Sequence, residues 1–295
     1  MADVLTSHTL ALAASFCIAL SSMFAAALGG RVNLIRLVRW QMSVTFLLAA
    51  GVSLAIGGWK DLTFGQAGLL ALSGLFGIAL ASTTYIATIF AIGPRLNAML
   101  FTLNAPFAMA LGALFLGERI EPPEIFGAAL VLAGIVLTLS EPRRASTPNA
   151  IIRASLAGIV LGVVTAFGQA LGGMFARPAM EAGADPFTAM AIRTSVGVIV
   201  FLLALALPAG RAGRPMTRQE QALALGTVVF GTFLGMTMVM AALANGNVGI
   251  VSTLSSTTPI LILPMIWIQS RIAPTPLAWS GAALAVGGVA FIALG

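Results

Sequence analysis

Apolar stretches of about twenty residues, separated by short polar clusters, follow one another along the whole chain. Coiled as an α-helix, a stretch of that length matches the hydrocarbon thickness of a bilayer. The pattern predicts ten helices, near residues 9–30, 33–57, 66–92, 96–116, 124–140, 153–175, 186–208, 219–244, 249–270 and 275–294. Glycines are spread through these spans, and no segment alternates apolar and polar residues over about ten positions, so helices fit and a membrane β-barrel does not. The first stretch has no basic leader and no small-residue cleavage site, and reads as the first helix rather than as a signal peptide.

Two proline-bearing stretches echo each other. Pro106 lies in "LNAPFAMALGALFLGERI", residues 103–120, and Pro259 in "TTPILILPMIWIQSRI", residues 257–272; they are 153 positions apart and Arg-Ile follows each. Ala27-Leu28-Gly29-Gly30 recurs as Ala170-Leu171-Gly172-Gly173 at an offset of 143. Phe46 to Ala49 recurs as Phe201 to Ala204 at 155, and Gly127 to Leu130 as Gly281 to Leu284 at 154. The polar segment "EPRRASTPNA", residues 141–150, falls between the copies as a linker. These features predict two five-helix repeats, residues 1–146 and 147–295. Five is odd, so the second repeat enters the bilayer from the opposite side. The fold class expected is an all-α integral membrane protein, with ten transmembrane helices as two inverted repeats around a central cavity.

Proline has no amide hydrogen to give the carbonyl four residues earlier, so Pro106 is expected to free the carbonyl of Thr102, and Pro259 that of Ser255. Asn104 stands beside the first break, and Ser255, Ser256 and Thr257 beside the second. Kinks that serve packing alone are the plainer alternative, but breaks matched in both halves favour a binding site between the repeats. Four more polar residues belong to the expected lining. Tyr85, the sole tyrosine, sits among hydroxyls in "STTYIAT". Ser22 pairs with Thr165 at the offset of 143, and Gln169 follows Thr165 one turn on. Arg39 and Arg193 correspond at an offset of 154. Each either snorkels to the headgroups or contacts a substrate carboxylate.

Only 8% of the residues are charged, against roughly 25% in soluble domains, while 59% are hydrophobic. Basic residues outnumber acidic ones 15 to 9, yet they are scattered over short loops rather than gathered on one face, which excludes a nucleic-acid partner. Odd-numbered loops carry Arg31, Arg95, Arg143, Arg144, Arg153, Arg211, Arg214, Arg218 and Arg271, even-numbered ones Lys60, Arg119 and Arg177. The positive-inside rule then puts both termini outside. All nine acids (Asp3, Asp61, Glu118, Glu121, Glu124, Glu141, Glu181, Asp185 and Glu220) fall at termini, loops or helix ends, and His8 at the edge of the first helix. No intramembrane carboxylate is left to relay protons or to pair with a cationic solute. Cys17, the sole cysteine, reads as a packing residue.

Neither a metal-ligand cluster nor an acid–base pair nor a Gly-x-Ser-x-Gly elbow can be assembled within the membrane, so no enzymatic activity, metal or other cofactor is expected. The expected partners are the lipid bilayer and a small neutral or zwitterionic metabolite, an amino acid first among them. A sugar-type metabolite, a drug, or a role as a scaffold or receptor are the alternatives.

Tyr85, Ala87, the turn from Pro94 to Asn97, Leu100, Pro106 and the terminal Gly117-Glu118-Arg119 resemble the first repeat of the ten-helix drug/metabolite transporter superfamily, the EamA-domain proteins. With Arg39 opening the second helix and a weaker copy over 153–295, the resemblance covers essentially the whole chain. Within the superfamily the chain looks similar to the YddG-type amino-acid exporters. The resemblance implies alternating-access export, a bacterial inner membrane, and cytoplasmic termini. That orientation opposes the loop arginines, and the sequence leaves the matter open. One departure stands out: Ser270 takes the place of Glu118 in the second repeat.

Overall fold

The computed structural model describes residues 2–60, 62–118, 122–139, 155–206 and 214–294. The expected linker, 141–150, lies outside the described residues, as do Arg119, Arg143, Arg144, Arg153 and Arg211. The helices are α1 (Ala2–Leu28), α2 (Leu34–Ile56), α3 (Phe64–Gly74), α4 (Ala81–Phe101), α5 (Asn104–Leu111), α6 (Pro122–Leu139), α7 (Leu156–Glu181), α8 (Pro186–Leu203), α9 (Arg218–Gly226), α10 (Met236–Leu243), α11 (Val248–Ser255), α12 (Thr258–Ser270) and α13 (Pro276–Leu294). Wider π-helical segments, Leu75–Leu80 and Thr227–Gly235, join α3 to α4 and α9 to α10, and a third, Gly112–Leu116, extends α5.

Seven runs among the described residues are long and apolar enough to cross a membrane, and three shorter apolar helices join them. One of the seven, Phe64–Phe101, has 38 residues. That is about 57 Å of helix, nearly twice a hydrocarbon core of about 30 Å. Gly93 divides it. Its φ of 81° and ψ of 166° fall where only glycine rests without strain, and the extended ψ is what a following proline requires. Pro94 then opens the fourth span, where its missing amide hydrogen costs nothing. Residues 94–101 and the short helix Asn104–Leu116 together make that fourth span, so the described residues form ten crossings, close to the expected positions. The sixth runs on to Glu181 rather than stopping near 175, its last turn tied by an Arg177–Glu181 ion pair of 3.2 Å.

Outward-facing positions are apolar, with Leu47, Leu54, Leu114 and Ile268 all more than 60% exposed. Many buried positions are hydroxyls. Several bond to the carbonyl one turn back, as Thr88 does to Thr84 at 2.7 Å and Thr194 to Met190 at 2.6 Å. Lipid gives helices no hydrophobic reason to associate, so close approach of small residues does that work. The fifth and tenth spans meet at two glycines: a Cβ on Gly134 would lie 2.6 Å from the Gly281 carbonyl oxygen, and one on Gly288 would lie 2.7 Å from the Val131 nitrogen. Gly134 and Gly288 are themselves 154 positions apart, so the two contacts are images of one another.

Local backbone structure carries the repeat more clearly than tetrapeptides do. Capping boxes Thr63/Gln66 and Thr217/Glu220 start the third and eighth spans at an offset of 154. Asn33 Oδ1 accepts from the Arg36 amide at 3.2 Å and Asp185 Oδ1 from the Thr188 amide at 2.7 Å, capping the second and seventh spans at an offset of 152. The π segments share Phe76-Gly77 and Phe230-Gly231, again 154 apart. Against this register the recurrence of Ala27 to Gly30 fails. Gly30, at φ 73°, lies in the turn after α1, whereas Ala170 to Gly173 lie inside α7. The offset of 143 is therefore coincidental, and the pairing of Ser22 with Thr165 falls with it. Counted from the caps, the counterpart of Arg193 is Gln41, not Arg39.

Contacts between loops sort them onto two faces. Ser7 Oγ donates to the Ala242 carbonyl at 2.7 Å, the Gln66 side chain to Ala182 at 3.4 Å, and the Val248 amide to Glu118 Oε1 at 3.3 Å, all on the face holding the N-terminus. On the other face Arg214 donates to the Arg31 carbonyl at 3.4 Å and pairs with Glu220 at 2.5 Å.

Candidate functional site

Two small hollows meet at the centre of the bundle, and Ile18, Phe101 and Gln169 line both. The larger encloses about 40 Å³ and the smaller about 10 Å³. At roughly 10–15 Å³ per water these are spaces for a few waters.

Tyr85 and Thr165 line the larger hollow. The Tyr85 hydroxyl is 2.6 Å from Ser22 Oγ, and its ring meets Phe101 edge-on at 5.5 Å. Ser22 itself is fully buried behind the phenol and also donates to the Ile18 carbonyl at 2.8 Å. Thr165 donates to Thr84 Oγ1 at 2.7 Å, fastening α7 to α4. Gln169 reaches across to the Met236 sulfur at 3.4 Å, a weak acceptor that leaves most of its amide capacity unused. Asn104 and Ser255 line the smaller hollow, and the Asn104 Oδ1 has no partner.

Both proline-bearing spans are broken at equivalent places, Thr102-Leu103 and Ser256-Thr257, but the prolines act differently from the expectation. Each sits in the first turn of the helix after the break, α5 or α12, where its amide would have had no helical partner. The Thr102 carbonyl is not free, since it accepts from the Ala105 amide at 3.1 Å. The Ser255 carbonyl accepts from Thr258 Oγ1 at 3.3 Å. Thr102, Ser256 and Thr257 do not line either hollow. Their hydroxyls close the chain on itself: Thr102 to Met99 at 2.7 Å, Ser256 to Ser252 at 2.6 Å, and Thr257 to Ser15 of α1 at 2.9 Å.

Sequence reasoning passed over Gln41, Ser21, Ser82, Thr232 and Met236, which line the larger hollow, and Ser252, which lines the smaller. Gln41 carries the signal that picked out Gln169, an amide in an apolar span.

Arg39 lies partly buried near the start of α2. Arg193 does not snorkel. It is fully buried, its Cα lies against Gly74, and its Nη2 lies against Gly77, one turn deeper along the third span. Gly77 makes this possible, because a Cβ there would stand 2.6 Å from Nη2 and 3.1 Å from the Gly172 Cα. Gln169 Oε1 flanks the same glycine. Nη1 donates to the sulfurs of Met240 at 3.0 Å and Met190 at 3.6 Å, while Nε and Nη2 have no partner. An intramembrane arginine costs about 2.5–3.5 kcal/mol on insertion scales, and two thioethers recover little of that.

Among the described residues no three of His, Cys, Asp or Glu come together as a metal site would need. A family model for the EamA-like transporter family matches residues 5–140 and again residues 156–294. The chain belongs to the EamA-like transporter family. It is an integral membrane transporter, and the two matched segments are the two repeats traced above. A solved structure titled "Crystal structure of protein" aligns to 99% of this EamA-like chain and 96% of its own, with a TM-score of 0.73 and 17% identity. At that identity the likeness speaks for the fold alone. No curated protein matches the chain.

Proposed function

We propose that this EamA-like transporter is an alternating-access carrier of a bacterial inner membrane that exports small neutral or zwitterionic metabolites, amino acids foremost. The solute passes between repeats taken as residues 1–146 and 147–295. The observation that supports this reading is the lining of the two hollows: hydroxyls and amides from Tyr85, Thr165, Gln169, Asn104, Ser252 and Ser255, with no carboxylate. Such a lining hydrogen-bonds a polar solute without an ion pair to a cationic drug. Ser22, Thr102, Ser256 and Thr257 hold the lining residues and the breaks in place. Purified protein in liposomes preloaded with labelled amino acids is expected to release them faster than protein-free vesicles. Release of glucose or of a cationic dye instead, with amino acids retained, sinks the substrate assignment.

The arginine-bearing face belongs in the cytoplasm and both termini outside, on the positive-inside rule. Cys17 is buried, so it offers little background to thiol labelling. In intact cells an impermeant thiol reagent is expected to label Lys60→Cys and to leave Arg31→Cys untouched until the membrane is permeabilised. The opposite pattern reverses the orientation.

A further inference from the structure

Arg193 holds its guanidinium in a way that packing does not account for. Nε and Nη2 form the side of the guanidinium that grips a carboxylate with two parallel hydrogen bonds, and it is this whole edge that lacks a partner. The third nitrogen rests on soft thioethers. Neither hollow reaches the group at present; Gln169, which lines both, stands beside it across Gly77.

The inverted repeat explains why the group is covered. Gln41, its counterpart by cap register, lines the larger hollow together with Gly231, the counterpart of Gly77. Arg193 packs on Gly77 in the closed half as Gln41 stands with Gly231 in the hollow half. In an inverted-repeat carrier the second state arises when the two halves exchange conformations. Arg193 then takes the place that Gln41 has now, with its free edge facing the solute. One cation with no acid beside it calls for one negative charge, and a fork-shaped edge calls for a planar acceptor.

Resting on the transport reading above, we propose that Arg193 is the anion-binding group of the carrier and that the transported solute carries a carboxylate, docked on the Nε and Nη2 edge in the exchanged state. Gln169 and Tyr85 then address the rest of the solute.

Thermal unfolding of the purified full-length protein in detergent tests this apart from flux. The probes are leucine, alanine and lactate, each against its matched amide, with glucose as a further control. An acid is expected to raise the melting temperature of wild type while its amide does not. Arg193→Met is expected to erase that rise, and to melt without ligand at or above the wild-type temperature, because it removes an unpaired buried charge. Arg193→Lys, which keeps the charge without the fork, is expected to weaken apparent affinity about tenfold. Amides as effective as acids, no response to any acid, or a response that survives in Arg193→Met each overturn the proposal. A fall in melting temperature or failure to fold in Arg193→Met also overturns it, by making the arginine structural. Acids that bind without crossing liposomes leave the anion site standing and remove the transport reading. Glucose flux indifferent to Arg193→Met does the reverse.

Discussion

Gly172→Leu is expected to remove the folded protein from the membrane. A Cβ at this position would lie 2.6 Å from the Cα of Gly77, 3.0 Å from its nitrogen and 3.3 Å from the Ser73 carbonyl oxygen. All three are backbone atoms, and none can rotate away. The Ser73 hydroxyl also donates to the Gly172 carbonyl at 2.6 Å, so separating α7 from the third span breaks a buried hydrogen bond along with the packing. Overpacking of this kind costs about 1–3 kcal/mol where flexible side chains yield, and more where they cannot. Gly51→Leu is the matching control, since nothing lies within 4 Å of a Cβ there. Size-exclusion chromatography of detergent extracts should show a single sharp peak for Gly51→Leu and its loss for Gly172→Leu. A wild-type profile for both would mean that the two helices do not approach as closely as this.

Gln169→Ala is expected to slow transport by about five- to thirtyfold, the loss of one or two hydrogen bonds to the solute at about 1 kcal/mol each, while the protein inserts and melts normally. Little holds the fold together through this side chain, whose one partner is the weak Met236 sulfur. Tyr85→Phe keeps the ring against Phe101 and loses the bond to Ser22, so a several-fold effect is expected. Initial rates in liposomes, normalised to reconstituted protein, measure both. Wild-type rates in the two variants would take the central hollow out of the transport path.

The ten spans were readable because lipid leaves the backbone so few options: every amide must be satisfied within its own helix, and length in apolar residues then nearly equals span. Gln169 was readable for a related reason, a polar group in an apolar helix having to turn inward, whereas Tyr85 was reached through the hydroxyls around it and Thr165 through the mistaken offset of 143. Tetrapeptides carried the register unevenly: Gly127 to Leu130 recurs at 154, the offset of the capping boxes, while Phe46 to Ala49 recurs at 155 in spans whose caps lie 152 apart. Small apolar residues recur by chance in such a composition, and Ala-Leu-Gly-Gly did so at the wrong offset. The true register lies in caps, π segments and breaks, which depend on backbone geometry. The depth of Arg193 was hidden as well, because it is set by two glycines, Gly74 and Gly77, on a helix more than a hundred residues away.

Glu118 and Ser270 bring out a last consequence. The Glu118 carboxylate accepts from the Val248 amide at 3.3 Å, joining the end of the fourth span to the start of the ninth. Ser270, aligned with Glu118 by the Arg-Ile that follows each, accepts from the Ile272 amide at 3.2 Å within its own turn, while the left-handed caps Gly117 and Arg271 pair Glu118 with Ile272. Both faces are thus stitched across the seam, one by Glu118 and the other by Arg214 to the Arg31 carbonyl, and a stitch to a charged group is worth about 1.5–3 kcal/mol. The architecture is two-fold while its ties are not: a carboxylate serves one face and a guanidinium the other.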